Sequence, residues 1–467
     1  MIGRRKEIAE FQECYNSNRS EFVIVYGRRR VGKTFLVTEL YADQFAFSFT
    51  GGHHLPKKIQ LNNFARALQS YTKSTFKLTL NTWFEAFDCL QDYLSTLSTG
   101  KRKVVFIDEM PWIDTARSEF VAALENFWNG WAAQQKDILF IASGSATSWM
   151  SNKLLENQGG LHNRITRKIY LRPFTLGEVE EYLESKACSW DRYQILQCYM
   201  VFGGIPFYLS LLNPRWSLVQ NIDKLFFRPN AALREEFLEL YGALFTHSDR
   251  YISIVKALFK KKEGLTRGEI AEQTNLQGSQ LTKMLDNLCK CDFVLPYAHY
   301  GKNIKNTIYR LSDFYTLFYL KFIENNFSKD ENKWSHLVHS PQVAVWQGLT
   351  FELVCLMHLP QIKASLGISG VLTNATSWRG EGTQIDLLID RDDRIVNLCE
   401  MKFSQTPYVI TAEYADKLRL RTAIFSEVTH CKKGLAHTFV TTYGVLPNKH
   451  SGIVQTEVTM DDLFVVM

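Results

Sequence analysis

The sequence predicts a mixed α/β protein with several folded units, and three observations support this fold class. The chain has 467 residues, and a prior of about 150 residues per domain suggests roughly three units. Apolar residues make up 46% and charged residues 22%, which are the proportions of a globular protein. A short β-branched run at residues 22–26 is followed by a stretch of helical apolar spacing, as expected for a parallel sheet covered by helices.

Composition also restricts where the protein works. The net charge of +6 is small for this length, so it permits an anionic partner without requiring one. The start of the chain has no apolar segment suited to a signal peptide, and no run approaches the roughly 18 apolar residues of a membrane span. Nine cysteines without a CxxC pair indicate reduced thiols. We therefore expect a cytoplasmic protein with no membrane partner.

The first candidate site is a glycine-rich loop between a strand and a helix. After residues 22–26 the pattern G-x-x-x-x-G-K-[ST] is complete, and helical spacing follows it. The glycines let backbone N–H groups converge on phosphate oxygens, the lysine suits the β- and γ-phosphates, and the threonine suits Mg²⁺. The predicted nucleotide site comprises Gly27, Arg28, Arg29, Arg30, Val31, Gly32, Lys33, Thr34 and Phe35.

Two carboxylates end a second apolar strand. Residues 101–109 give a basic lead-in, four apolar residues and then Asp108 and Glu109. With the glycine-rich loop in place, Asp108 would hold the metal's water shell and Glu109 would polarise the attacking water. The alternative is a strand that simply ends in a solvated acidic turn.

Polar residues follow the next strand as well. Residues 137–142 end at Ser143 and Ser145, and a hydroxyl here would lie between the carboxylates and the γ-phosphate; the sequence does not choose between the two serines. Further on, Arg164 and Arg167 precede a fifth strand. Either arginine could reach a neighbouring subunit's phosphate, or could pair with a surface carboxylate of its own chain.

Several of these segments together resemble the archaeal and bacterial AAA+-related ATPase family. The segments are Ile2-Gly3-Arg4 with Glu7, the loop 27–34, the strand 104–112, the strand end 143–150 and Gly203-Gly204-Ile205-Pro206. Members of this family are commonly fused to a C-terminal domain that resembles the PD-(D/E)XK nucleases. The resemblance implies an ATPase core at 1–172 with a five-stranded parallel sheet, Ile2-Gly3-Arg4 near the adenine, and a helical lid with its connector at 173–245. Pro173 and a Thr175 N-cap mark the start of the lid.

Residues 246–315 have the element order of a winged helix: three helices and then a hairpin. The third helix places Leu281, Met284, Leu285 and Leu288 on one face. The outward residues would then be Ser279, Gln280, Thr282, Lys283 and Asn287, with Lys302 and Lys305 on the wing. These groups suit DNA, although a winged helix can equally serve as a spacer or a protein-docking module.

Residues 316–467 carry a second set of charged residues. A largely apolar helix contains Glu352, and an antiparallel hairpin follows it. If the turn centres on Asp393, Asp386 lies across from Glu400, and Lys402 shares the face of Glu400. This is the D…E-x-K arrangement of the PD-(D/E)XK nucleases, in which Asp386 and Glu400 would bind Mg²⁺. The alternative is an ordinary ion pair on a solvated face.

The full prediction is an α/β chain in four parts: a P-loop ATPase sheet, a helical lid, a winged helix and a restriction-endonuclease-like C-terminal domain. ATP and Mg²⁺ are the expected cofactors, DNA is the expected partner, and a homo-oligomer is compatible with the sequence. Two functions are open at this point. Either the nucleotide cycle controls a Mg²⁺-dependent nuclease, or it drives a switch whose C-terminal domain binds nucleic acid or protein without cutting.

Overall fold

The structure is a computed structural model that describes residues 2–73, 77–98, 100–145, 147–155, 160–161, 163–301 and 307–467. The chain divides into two compact units, Met1–Arg172 and Pro173–Met467. Each unit has its own sheets and its own buried apolar residues. The two units are described separately below.

The first unit is built on a five-stranded parallel sheet with the order β2-β3-β4-β1-β5. Its strands are β1 (Glu21–Tyr26), β2 (Phe45–Thr50), β3 (Lys103–Asp108), β4 (Ile138–Gly144) and β5 (Arg167–Tyr170). Its helices are α1 (Arg5–Asn16), α2 (Lys33–Tyr41), α3 (Lys57–Thr72), α4 (Trp83–Thr96), α5 (Met110–Ile113), α6 (Phe120–Gly130) and α7 (Thr147–Met150). Short 3₁₀ turns at Ala42–Gln44 and Ala132–Gln134 and a π-helical turn at Ser151–Leu155 complete the unit.

The burial of the central strands is typical of a parallel sheet in the interior of a unit. Every residue of β3 and β4 is buried, as expected when helices cover both faces of a parallel sheet. Aromatic side chains fill much of the core, for example Phe22 against Trp128 with ring centroids 5.0 Å apart. In such sheets, ligands bind beyond the carboxyl ends of the strands. That edge carries the glycine-rich loop after β1, the two carboxylates Asp108 and Glu109 at and directly after the end of β3, and the two serines Ser143 and Ser145 around the end of β4.

The second unit begins with short helices: α8 (Leu176–Ser185), α9 (Arg192–Phe202), α10 (Pro206–Ser210), α11 (Leu218–Ile222), a π-helical turn (Asp223–Phe227) and α12 (Glu236–Leu244). Thr175 caps α8 as predicted, in a reciprocal capping box with Glu178. Asp191 caps α9 in the same way with Gln194. These caps fix the ends of helices whose apolar faces pack into the unit.

A winged-helix arrangement follows. It consists of α13 (Ser248–Lys260), β6 (Leu265–Thr266), α14 (Arg267–Thr274), α15 (Gly278–Lys290), β7 (Val294–Tyr297) and β8 (Ile308–Leu311), with the sheet order β6-β8-β7. The apolar face predicted for α15 is buried. One outward residue was predicted wrongly: Asn287 is buried and donates a hydrogen bond to the Tyr251 hydroxyl at 2.7 Å. Lys302 and Lys305 lie outside the described residues.

The C-terminal part combines helices with a mixed sheet. Its helices are α16 (Phe314–Phe318), a π-helical turn (Tyr319–Ile323), α17 (Lys333–Leu337), α18 (Pro341–Met357), α19 (Leu359–Ser365), α20 (Ala412–Thr429), a 3₁₀ turn (Ser451–Ile453) and α21 (Met460–Leu463). Its strands are β9 (Thr373–Gly380), β10 (Thr383–Arg391), β11 (Ile395–Lys402), β12 (Gly434–Thr441) and β13 (Thr456–Thr459). The sheet order is β13-β12-β11-β10-β9: β9 to β11 are antiparallel, and β11 to β13 are parallel.

The predicted α/β fold class is confirmed, with the parallel five-stranded sheet first and a separate C-terminal sheet domain. The hairpin turn is also as predicted, because the β10/β11 ladder pairs Leu388 with Leu398 and Asp390 with Val396. Strand β9, which pairs along β10, was not expected. Within the described residues no single helix is long and apolar enough to cross a bilayer; α18 and α19, bent by 75°, pass only as a pair and only by length and composition.

Candidate functional site

The glycine-rich loop has the backbone that its sequence requires. Gly27 has φ 146°, and a side chain there would meet the Leu171 carbonyl oxygen at 2.3 Å, so only glycine fits. Arg30 and Gly32 also have positive φ, which curls the loop before α2 begins at Lys33. The Lys33 ammonium is buried and donates to the Gly27 and Arg28 carbonyls at 3.0 and 2.9 Å. The loop therefore wraps around its own lysine at the start of a helix, where anions bind favourably.

Arginines support this loop from the inside. Arg4 is buried and donates to the Val31 carbonyl at 3.2 Å, with Glu7 3.9 Å from its guanidinium. Arg28 is only 2% exposed, so its side chain is buried rather than solvated at the mouth of the loop. In contrast, Phe35 in the first turn of α2 is 60% exposed. An exposed aromatic ring beside a phosphate-binding loop offers a surface on which a base or ribose can pack.

Asp108 lies directly beside the loop. Its carboxylate accepts a hydrogen bond from the Thr34 hydroxyl at 2.8 Å, a second from the Ser143 hydroxyl, and a third from the Glu109 backbone N–H at 3.0 Å. A hydroxyl and a carboxylate at this separation are the oxygen ligands that Mg²⁺ prefers. The residues present therefore fit a nucleotide-bound Mg²⁺, with Thr34 and Asp108 as the residues that would hold it.

Glu109 is held separately. It has φ 49°, an uncommon conformation for a residue other than glycine, between the end of β3 and the start of α5. Its carboxylate accepts hydrogen bonds from the Ser145 backbone N–H at 3.1 Å and from the Ser145 hydroxyl. The sequence left the choice between Ser143 and Ser145 open, and the structure uses both: Ser143 contacts Asp108 and Ser145 contacts Glu109.

A buried glutamine missed by the sequence reasoning fixes the segments on either side. Gln60 in α3 is fully buried and donates to the Gly52 carbonyl at 2.7 Å and the Trp112 carbonyl at 3.0 Å. Its side-chain oxygen accepts from the Gly52 N–H at 3.0 Å. It thus joins the end of β2 to α5, the helix that follows Glu109. Its position within an amphipathic helix carried no signal for this role.

The two arginines before and within β5 differ. Arg167 pairs with Glu13 at 2.9 Å and with Glu10 at 3.9 Å, both on α1, which is the surface ion pair considered as its alternative role. Arg164 is exposed and makes no ion pair within the described part of the chain. Of the two, Arg164 is the one whose charge is available to a partner.

In the C-terminal domain, Glu400 is surrounded by hydrogen-bond donors. It is 7% exposed; one oxygen pairs with the Arg421 guanidinium, and the other accepts from the Tyr414 hydroxyl at 2.6 Å, with the Lys402 ammonium at 3.5 Å. Arg421 and Tyr414 both lie on α20. Burial and the adjacent Glu400 charge raise the pKa of Tyr414 well above its usual value, so the phenol stays a donor.

The predicted pairing of Asp386 with Glu400 lies just beyond the end of the β10/β11 ladder and stays a prediction. The β10/β11 ladder stops at Leu387 and Cys399, one residue short of the predicted pair. Against β9, β10 shifts register between Ile385 and Leu388, and both of these residues enter one apolar cluster. Residues three apart share a sheet face only where a bulge interrupts the alternation.

Asp386 lies in this bulge with its own set of partners. Its carboxylate accepts from the Gln384 amide at 2.6 Å, and its backbone carbonyl accepts from the Tyr297 hydroxyl at 3.0 Å. The same hydroxyl reaches the Thr376 carbonyl at 3.1 Å. Tyr297 ends β7, so the winged-helix sheet caps the bulge of the C-terminal sheet. The sequence gave no signal for Tyr297, because its partners are distant in the chain.

Glu352 on α18 is a carboxyl group whose surroundings raise its pKa. Burial, reinforced by the negative charge of Asp386, raises its pKa to about 7, while Arg310 at 3.4 Å opposes this effect. Asp386 thus influences Glu352, whereas Glu400 contacts residues of α20. Lys402 is 3.5 Å from Glu400 and its charge also lowers the pKa of Glu352, so Lys402 is common to both sets of contacts.

A metal ion at the C-terminal residues would compete with these contacts. Both oxygens of Glu400 already bind Arg421, Tyr414 and Lys402. The described residues also contain no group of three or more His, Cys, Asp or Glu side chains that could hold a metal ion. A Mg²⁺ ion at Glu400 would therefore have to displace one of these partners.

The parallel sheet, the curled loop and the paired carboxylates define the first unit as a P-loop ATPase. Residues 1–212 match a family model described as an ATPase domain predominantly from Archaea. The match ends at residue 212, and the nuclease resemblance of the C-terminal domain stays a prediction.

Proteins similar to this chain include one from Methanocaldococcus jannaschii and one from Pyrococcus abyssi. An uncharacterised protein of Methanocaldococcus jannaschii is 24% identical over 410 residues, which cover 86% of this chain and 87% of the relative. The solved structure of a Walker-type ATPase of Pyrococcus abyssi has a TM-score of 0.50 and 17% identity, covering 69% of this chain and 96% of that one. At this level of identity the structural likeness shows a shared fold.

Proposed function

We propose that this ATPase binds ATP with Mg²⁺ on the loop 27–34 and hydrolyses it with Glu109 as the base. The observation that carries the proposal is the pair of separately held carboxylates beside the loop, Asp108 with Thr34 and Glu109 with Ser145. Thr34 and Asp108 would hold the Mg²⁺, which supplies positive charge to the phosphates. Lys33 would leave the loop carbonyls to bind the triphosphate, and Glu109 would orient the attacking water and accept its proton.

The nucleotide cycle is proposed to act on the C-terminal domain through the helices that follow residue 172. Within the second unit these helices contact the C-terminal domain directly: the Leu176 N–H donates to His358 at 3.0 Å, and Arg192 pairs with Asp461 at 3.0 Å. The Tyr193 ring also stacks on Phe403 with centroids 5.2 Å apart. Phe403 follows Lys402, so a shift of α9 reaches the candidate C-terminal residues through one aromatic contact.

The partner of the second unit is proposed to be DNA. The α15 surface exposes Ser279, Gln280, Thr282 and Lys283, as expected for a helix that reads a groove. Arg267 donates to the Thr282 hydroxyl at 3.0 Å and thereby joins α14 to this face. Arg164, exposed and without an ion pair in the described chain, is proposed to reach the nucleotide of a neighbouring copy in a homo-oligomer.

The test compares duplex DNA affinity with and without ATP and Mg²⁺ in the full chain, together with phosphate release. Lys33→Ala should abolish ATP binding and the nucleotide dependence of DNA affinity. Tyr193→Ala should keep ATP hydrolysis but reduce the nucleotide dependence, whereas Tyr182→Ala, a matched change on α8 whose ring packs against Phe174, should not. Undiminished ATP affinity in Lys33→Ala would contradict the ATP proposal. Identical nucleotide dependence in Tyr193→Ala and the native chain would contradict the proposed coupling.

A second candidate function, metal-dependent DNA cleavage, is favoured by one observation. Glu352 with its raised pKa, Asp386 and Lys402 interact electrostatically, and perturbed charged groups cluster at catalytic sites. Cleavage requires Arg421 to release Glu400 first. The assay is Mg²⁺-dependent cutting of single-stranded, duplex and branched DNA, with and without ATP. Cutting that Lys402→Ala removes would support a nuclease, and no cutting under any condition would favour a DNA-binding switch.

A further inference from the structure

A cavity of about 450 Å³ lies within the second unit, with Arg310, the partner of Glu352, among its lining residues. It opens where the end of α13, strand β8, the π-helical turn 319–323 and α18 come together. Pockets of roughly 300–1,000 Å³ are typical of small-molecule sites. The size therefore suits an organic ligand rather than a bare ion.

The walls of the cavity are apolar and aromatic. Leu317, Leu349, Leu353 and Trp346 line it, together with the aliphatic side chain of Val345 at its exposed rim. The Trp346 indole N–H is buried in the wall and has no acceptor within the described chain. The apolar and aromatic side chains of the wall suit the flat face of an aromatic ligand.

The rim, in contrast, is cationic. Lys260, Lys262, Lys321 and Arg310 all line the cavity, against the single carboxylate of Glu263 among the lining residues. Arg310 contacts Glu352 at 3.4 Å, whereas Lys260, Lys262 and Lys321 make no ion pair in the parts of the chain that the structure describes. Three uncompensated ammonium groups around one opening attract an anion, and phosphate is the anion that lysines commonly bind.

We propose that this cavity binds a nucleoside phosphate, with the base against the Trp346 and Leu349 side of the wall and the phosphate at Lys262 and Lys321. The source is either a free nucleotide or the terminal nucleotide of a DNA strand. The choice of a nucleoside over other organic phosphates rests on the proposed DNA partner. The cavity extends that proposal because Arg310, which lines it, is 3.4 Å from Glu352, so the cavity lies beside one of the C-terminal carboxylates.

The experiment uses the full chain with Lys33→Ala, so that the ATP loop does not contribute to binding. Equilibrium dialysis measures labelled deoxyadenosine monophosphate, a 5′-phosphorylated dinucleotide and inorganic phosphate. One saturable site for a nucleoside probe is expected. Lys262→Glu with Lys321→Glu should weaken binding at least tenfold, because each lost charge-assisted contact is worth about tenfold or more. Val345→Trp should block the opening without changing its charge.

The matched control is Lys432→Glu, an exposed lysine between α20 and β12 that does not line the cavity. It should leave nucleoside phosphate affinity unchanged within about twofold. A site that takes the dinucleotide alone identifies a strand end as the ligand, and one that takes the mononucleotide equally identifies a free nucleotide. No binding, binding that survives both cavity variants, or equal affinity for inorganic phosphate would overturn the proposal. Duplex DNA affinity is measured on the same samples. If DNA still binds while the cavity takes no nucleoside phosphate, the cavity proposal fails and the proposed DNA partner stands.

Discussion

The carboxylates of the ATPase unit and the Glu400 carboxylate of the C-terminal domain have different kinds of partner. The partners are neutral hydroxyls in the ATPase unit and a cation at Glu400. Asp108 and Glu109 accept hydrogen bonds from the neutral hydroxyls of Thr34, Ser143 and Ser145. Glu400, in contrast, pairs with the cation Arg421. A carboxylate held by hydroxyls keeps its negative charge for a metal ion or a proton, whereas one held by a guanidinium is already neutralised. A sequence motif therefore supplies the carboxylates, whereas the neighbouring side chains determine whether their negative charge is compensated.

The largest expected effect is at Glu109. Glu109→Gln should lower ATP hydrolysis by about 100-fold or more, because a positioned general base contributes roughly 10²–10⁴ to rate. ATP affinity should stay within about threefold, since the loop and Lys33 are unchanged. Steady-state phosphate release and titration with a fluorescent ATP analogue measure the two quantities. The control is Glu39→Gln, an exposed change on α2, and equal hydrolysis in both variants would remove the catalytic role of Glu109.

The next effect concerns the cation beside Glu400. Arg421→Met should reduce the local unfolding free energy of β11 and α20 by about 3 kcal/mol, because a buried carboxylate loses its counter-charge while Tyr414 remains. Native-state hydrogen exchange of these segments measures the change.

Arg419→Met is the matched control, since Arg419 and Asp416 form an exposed pair worth less than about 1 kcal/mol. Equal losses in the two variants would contradict the role assigned to Arg421. A gain of Mg²⁺ affinity in Arg421→Met but not in Arg419→Met would show that Glu400 can bind a metal ion once its cation is removed. Glu400 would then resemble Asp108, and the two regions would differ less.

A pH effect follows from Glu352. Its pKa of about 7 lies above the value of 4.5 of an exposed glutamate, so the folded state binds the proton more tightly. Folding stability should therefore fall as pH rises from about 4.5 to about 7, by no more than about 3 kcal/mol. Glu352→Gln should be more stable than the native chain at pH 8, with the difference disappearing near pH 4.5.

Thermal unfolding midpoints at several pH values test this sign. Glu427→Gln, an exposed substitution on α20, should keep the pH profile of the native chain. An unchanged profile in Glu352→Gln would mean that Glu352 is not the group with the raised pKa. In that case Glu352 would no longer be a charged group that distinguishes the C-terminal domain from the ATPase unit.

The smallest effect is expected at Ser145. Ser145→Ala removes one hydroxyl from Glu109 and keeps the backbone N–H contact at 3.1 Å, so kcat should fall about fivefold to tenfold with an unchanged KM. Ser70→Ala, an exposed hydroxyl on α3, is the control. A change in KM alone would show that Ser145 supports nucleotide binding rather than the position of Glu109.

Sequence patterns predicted those features that lie in one continuous segment. The glycine-rich loop, the carboxylates after β3, the Thr175 cap and the turn near Asp393 all depend on neighbours within a few residues. The bulge at Asp386 could not be read in this way, because it depends on pairing with β9 and on the distant Tyr297. Asn287 was predicted wrongly for the same reason. Helical spacing predicted an exposed side chain, but it is buried and donates a hydrogen bond to Tyr251 on another helix.

The amino-acid sequence by itself determined that this chain has a phosphate-binding loop followed by two carboxylates on a parallel sheet. These features are local, since backbone conformation and strand order place them at one edge whatever surrounds them. Only the tertiary structure decided which serine holds which carboxylate, and that Arg421, 21 residues further along, neutralises Glu400. Side-chain charge acts through space rather than along the chain, so the state of a buried carboxylate depends on which elements pack against it.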